Sequence, residues 1–114
     1  MSKIKKEYPC ALILTNDLIG GKWKLRILWH IVHGDNRFSL LSKAIPDISQ
    51  KMLTAQLREL EQDGIIRRII IKDNPPKKII YDVTEEEQEL IGIIDKLCDY
   101  TKKYAGKKSI KVAD

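Results

Sequence analysis

Apolar positions recur along most of this chain at helical spacing. Cys10 to Ile19 is an apolar-rich stretch in which Leu14 and Leu18 stand four apart, as on one helix face. Gly20-Gly21 interrupts it. Trp23 to His33 reads as a helix with Leu25, Leu28, Trp29 and Val32 on one face, widened by Ile27 and Ile31, so that it should be largely buried. Gly34 suits the position just past its end. Ser39 to Ile45 predicts a short helix capped by the Ser39 hydroxyl and broken at Pro46-Asp47. Ser49 caps the next, Gln50 to Asp63, whose narrow stripe of Leu53, Leu57 and Leu60 leaves a wide polar face. Gly64 ends it.

The period then changes. Ile65 to Lys72 is rich in β-branched residues and reads as a strand. Asp73-Asn74-Pro75-Pro76 is a turn, and Ile79 to Val83 returns with Ile79, Tyr81 and Val83 on one face, completing a hairpin. Thr84-Glu85-Glu86-Glu87 fits a capping box. The helix it opens is expected to run to about Tyr104, with a broad apolar stripe of Leu90, Ile91, Ile94, Leu97 and Cys98 and with Lys102 and Lys103 at its cation-favouring end. A basic arm over residues 1–9 and a polar, basic tail over 106–114 are expected to be flexible. A short helix, a tight turn, a second helix and a two-stranded hairpin make a winged helix-turn-helix, mainly α with a small β wing.

Composition narrows the function. The 114 residues suffice for one domain, and 43% hydrophobic with 32% charged residues excludes wholesale disorder. The net charge of +5 is compatible with nucleic acid as a partner. There is no apolar run of membrane-spanning length and no secretory signal, and two cysteines are too few for a disulfide scaffold, so a cytoplasmic protein is expected. No Gly-rich phosphate loop, Gly-x-Ser-x-Gly or nucleophile–base pattern occurs, and Glu85, Glu86, Glu87 and Glu89 suit a helix N-terminus. His30 and His33 with Cys10 fall short of the four ligands of a structural zinc site. The reading is therefore of a protein that is not an enzyme and carries no metal or cofactor.

Candidate chemistry lies on the second helix of the helix-turn-helix and on the wing. Gln50, Lys51, Thr54, Gln56 and Arg58 carry side chains that can read base edges, Gln pairing with adenine and Lys or Arg with guanine. Ser49 and the free N–H groups beside it suit a phosphate. Lys72, Asn74, Lys77 and Lys78 at the hairpin tip suit phosphate or minor-groove contact. Double-stranded DNA is the partner these residues imply. A winged-helix module that binds protein through the same face is the alternative.

Three segments carry a family resemblance. They are Asp17-Leu18-Ile19-Gly20-Gly21-Lys22-Trp23 with Cys10 upstream, Arg37-Phe38-Ser39-Leu40-Leu41, and Ile48-Ser49-Gln50-Lys51-Met52-Leu53-Thr54 with Leu57-Arg58-Glu59-Leu60, Asp63-Gly64-Ile65-Ile66 and Arg68. Pro75-Pro76-Lys77 and Tyr81-Asp82-Val83-Thr84 extend the match through the wing, so that it covers roughly residues 8–104. In these the sequence resembles the HxlR-type family of winged-helix transcriptional regulators. There are departures: the wing is one residue longer before Tyr81, which can shift the tip or add a bulge, Glu87 replaces a usual Gly, and Ala11 a usual Pro.

The resemblance implies a homodimer, paired through N- and C-terminal helices, whose two recognition helices read a palindromic operator, usually to repress. Ser49, Gln50, Lys51, Thr54 and Arg58 fall on the implied recognition helix, Lys77 in the basic wing. Leu12 and Leu14, with Leu90, Ile91, Ile94, Leu97 and Cys98, are the expected dimer contacts. Some family members sense oxidants or electrophiles through the N-terminal cysteine. Cys10 lies near a helix start and close to Lys5 and Lys6, the electropositive setting that reactive cysteines use. A small-molecule effector between the dimer helices and the DNA-binding core is compatible with this plan, but no residue specifies one.

Overall fold

The computed structural model describes residues 3–113. Its elements are α1 (Ala11–Ile19), α2 (Lys24–Val32), α3 (Phe38–Ala44), α4 (Gln50–Gln62), β1 (Ile66–Lys72), β2 (Lys78–Val83), a 3-10 turn (Glu85–Glu87) and α5 (Gln88–Lys107). Order and type are those of a winged helix-turn-helix flanked by an extra helix at each end.

One core holds the winged unit together. Ile27, Leu28 and Ile31 of α2 meet Leu41 of α3, Ile45 and Ile48 of the turn, Leu53, Leu57 and Leu60 of α4, Ile65, Ile66 and Val83 of the wing base, and Ile94 of α5. Burying each such side chain contributes roughly 1.5–3 kcal/mol. The leucine stripe of α4 is wholly inside, as its spacing requires. On α2 the buried arc differs from the expected one: Ile27, Leu28 and Ile31 are buried, Leu25 and Trp29 are half-buried on the groove towards α5, and Val32 is exposed. Lys24 stands in the middle of that arc and is buried.

Local chemistry places α4. The Ser49 hydroxyl accepts the Met52 N–H at 3.0 Å, satisfying one of the unpaired donors at the helix start. At the other end Gly64 takes φ +76°, the Ile65 N–H donates to the Leu60 carbonyl at 3.0 Å, and the Gly64 N–H donates to the Glu61 carbonyl at 3.1 Å. This is a Schellman closure, and its apolar partners Leu60 and Ile65 are both buried. Two expected caps do not form. Arg37 rather than Ser39 precedes the first turn of α3, with no side-chain cap. Thr84 donates its hydroxyl backwards to the Gly64 carbonyl at 3.1 Å and opens a 3-10 turn instead of capping α5. It thereby ties the end of the wing to the end of α4.

The hairpin pairs antiparallel from Ile66↔Val83 to Ile70↔Ile79, then jumps to Lys72↔Lys78, leaving Ile71 as a bulge. The bulge therefore lies on β1, and not within residues 77–80, where the extra wing residue is read from the sequence. The Tyr81 N–H donates to the Asn36 carbonyl at 2.8 Å, anchoring the wing to the segment before α3. The last helix continues past Tyr104 and through Gly106 to Lys107. Among the described residues no helix is long and apolar enough to cross a membrane.

Candidate nucleic-acid interface

On the outer side of α4, Lys51 and Arg58 stand seven residues apart, nearly two full turns, and both are exposed. Gln50 and Thr54 lie on the flank facing the wing, where the Thr54 hydroxyl donates to the Gln50 carbonyl at 2.9 Å. Gln56 lies about 160° round the helix from Thr54. Its amide contacts the Met52 sulfur at 3.4 Å. The structure therefore brings Gln50, Lys51, Thr54 and Arg58 to one outer surface and leaves Gln56 on the opposite flank. Ser49 sits at the helix start, exposed, with its hydroxyl engaged as the cap.

Lys72, Asn74, Lys77 and Lys78 are all exposed at the tip of the wing. Lys72 and Lys78 are cross-strand partners. Like charges placed directly opposite on a hairpin repel, and an anion held between them removes the penalty. Lys77 lies 3.7 Å from Asp73, a long and exposed ion pair. Between the wing and α4 a cleft of about 390 Å³ is lined by Phe38, Thr54, Leu57, Arg58, Glu61, Arg68 and Tyr81.

Beneath α4 lies a pair that the hydropathy pattern does not disclose. Lys24 is 2% exposed, and its ammonium donates to the Glu59 carboxylate at 2.8 Å. That hydrogen bond holds the Glu59 carboxyl below the usual carboxylate range against the opposing effect of burial. The available signal was positional: Lys24 precedes Ile27, Leu28 and Ile31 by three, four and seven residues and so shares their face.

The remaining candidates separate. Cys10 is exposed immediately before α1. Cys98 is half-buried on a groove of about 490 Å³ between α2 and α5, beside Leu25, Trp29 and Leu97. His30 faces Asp35 at 2.9 Å and His33 faces the Trp29 carbonyl at 2.7 Å, so neither histidine turns towards the other. Of the expected dimer contacts, Ile94 is a correction: it is 4% exposed, packs into the core and has no surface left for a partner. Leu90, Ile91 and Cys98 are half-buried against that same core, Leu14 is half-buried, and Leu12 and Leu97 are exposed. Leu97 belongs to a second stripe, Ile93, Leu97, Tyr100 and Tyr104, exposed along the length of α5. The sequence reading followed the first stripe and missed this one, although its i, i+4, i+7, i+11 spacing is equally regular.

A helix-turn-helix with a polar outer helix and a basic hairpin beside it defines the winged-helix class. The sequence model of the HxlR-like helix-turn-helix family matches residues 18–109, and the chain belongs to that family. It is 50% identical over 94 residues to the uncharacterised HTH-type transcriptional regulator YtcD of Bacillus subtilis, an alignment covering 82% of this chain and 74% of that protein. The structure is similar to that of the redox regulator HypR in its oxidised form (TM-score 0.74, 39% identity, 82% of this chain and 96% of that one). It is also similar to reduced YodB, a transcriptional regulator from B. subtilis (TM-score 0.71, 30% identity, 86% and 95%).

Proposed function

We propose that this chain acts as a homodimeric, sequence-specific DNA-binding repressor that reads a palindromic operator. The observation that carries the reading is the outer surface of α4 together with the wing. Lys51 and Arg58 project from the helix, and Lys72 and Lys78 face each other at the base of the tip. Helix α4 enters the major groove, with Gln50, Lys51 and Thr54 towards base edges, Arg58 further along the helix towards the backbone, and the wing lysines on the flanking phosphates. The two-fold partner meets the α5 stripe and the exposed Leu12 and Ile13 of α1, a helix with no buried residue of its own.

Cys10 supplies the signal input in this reading. An exposed thiol at a helix start, in a chain similar to redox regulators, is placed for oxidation to a disulfide with a thiol of the partner subunit. With diamide as oxidant, two thiols lose two electrons and two protons to the azo bond, which becomes a hydrazine. The disulfide then changes the angle between the two recognition helices and releases DNA.

The test is substitution on a duplex from the upstream region of the chain's own gene. Lys51→Ala and Arg58→Ala are each expected to weaken binding by about tenfold, the scale of one charged contact to a base edge or a phosphate, while the melting temperature stays unchanged. Equal affinity for wild type and both variants contradicts the assignment of α4. Cys10→Ser is expected to keep DNA affinity and to abolish its loss on diamide treatment.

A further inference from the structure

We propose that the cleft between α4 and the wing is a phosphate-binding site built by Arg58 and Arg68. The proposal rests on the DNA-binding reading and assigns a role to a residue, Arg68, outside both the base-reading surface and the hairpin tip.

Arg58 comes from α4 and Arg68 from β1, and both line the same cleft of about 390 Å³. Among the described residues neither arginine has an ion pair, whereas Arg26 and Arg67 are matched to Asp47 and Asp82 at 3.0 and 3.1 Å. The one acidic group lining the cleft, Glu61, lies beyond ion-pair distance of both. Two guanidinium groups that line one cleft and have no ion pair repel each other. A phosphate removes the repulsion and accepts paired N–H bonds from planar donors. Thr54 and Tyr81 line the same cleft. The floor is firm: Leu57 is buried, Phe38 packs against the core, and the Tyr81 backbone is held by Asn36 at 2.8 Å. Arg68 pairs with Tyr81 across the hairpin, so the wing register fixes where it stands.

The position suits a phosphodiester of the DNA backbone. A duplex that receives the outer side of α4 and the tip of the wing must pass its backbone across the space between them. One phosphate in the cleft then sets the depth and tilt of α4 in the groove without reading sequence. The same chemistry also accepts a free phosphoryl group, so the experiment includes both sources.

Arg68→Ala and Arg68→Lys are compared with wild type by fluorescence anisotropy, on the upstream duplex and on a scrambled duplex, from 50 to 300 mM salt. Inorganic phosphate and a nucleoside monophosphate are titrated separately, against sulfate at matched ionic strength. Arg68→Ala is expected to lose about five- to tenfold on both duplexes, and its log–log salt slope to shrink by about one phosphate. Arg68→Lys is expected to recover the salt slope and part of the affinity, because it restores charge without the planar fork. Glu61→Gln is expected to tighten both duplexes by about two- to threefold. Phosphate or nucleotide binding at millimolar concentration that Arg68→Ala abolishes supports the site with a free phosphoryl ligand. Wild-type binding to DNA with Arg68→Ala unchanged in affinity and slope, and with no phosphate binding, overturns the site while leaving the regulator reading intact. A wild type that binds neither duplex overturns that reading instead.

Discussion

Lys24 and Glu59 show how one residue pair connects α2 to α4. The ammonium is 2% exposed and the carboxylate 22%, so the bond joins the core face of α2 to the flank of α4. Removing one partner of such a pair leaves the other charge uncompensated, and Glu59→Ala is expected to cost about 3 kcal/mol. A lower urea midpoint at unchanged m-value reads that loss. The pH dependence has a definite sign. The folded Glu59 carboxyl titrates below its unfolded value of about 4.3, so the unfolded state binds the proton first. Its stabilisation is complete above that value and is lost as pH falls through the lowered folded one. Thermal unfolding from pH 6 to pH 3 should show a smaller decline for Glu59→Gln than for wild type. The remaining decline belongs in part to Asp47, whose carboxyl the Arg26 guanidinium also holds low. Leu53, Leu57 and Leu60 were legible because an apolar stripe on a polar helix has one place to go. Lys24 was not, because hydropathy assigns lysine to the surface and the compensating carboxylate is thirty-five residues away.

At the scale of elements, termini decide more than propensities. Ser49→Ala removes the hydroxyl that accepts the Met52 N–H, and is expected to destabilise the protein by about 1 kcal/mol. Gly64→Ala places a Cβ on a residue at φ +76° and is expected to cost about 1 kcal/mol, although no atom obstructs the methyl group. Chemical denaturation checks both, and the second should keep DNA affinity because the strain lies at the far end of α4. Both of these signals stood in the sequence. Ser39 and Thr84 carried the same kind of signal and did not cap. A hydroxyl serves whichever partner the tertiary structure offers, and for Thr84 that is the Gly64 carbonyl, twenty residues back. In the wing the two strands and their turn were legible, but the bulge falls at Ile71 on β1 and not on the β2 arm where the extra residue is read, and Ile66 and Val83 stay paired and buried below it.

As a whole the chain is drawn out. Its radius of gyration is 15.5 Å, against roughly 13 Å for a compact domain of this length. Helix α1 buries none of its residues, and α5 leaves Ile93, Leu97, Tyr100 and Tyr104 exposed. An apolar stripe of this length is what a two-fold partner covers. Tyr100→Glu is expected to convert a dimer to monomer in sedimentation velocity, and to weaken operator binding with it because two linked half-sites become one. Persistence of the dimer in that variant contradicts the assignment of the stripe. The winged core was legible because each of its elements has its own period. The partner face was only half legible: sequence periodicity shows that α5 has two apolar stripes, and only packing decides that Ile94 turns inward while Leu97 turns outward. The most direct measurement of the central claim is anisotropy of the reduced protein on its upstream duplex against a scrambled one, at two salt concentrations. The account predicts tight, selective binding by a dimer that weakens steeply with salt as phosphate counterions are displaced. Equal, weak and salt-insensitive binding to both duplexes contradicts it and points to a winged helix that binds protein.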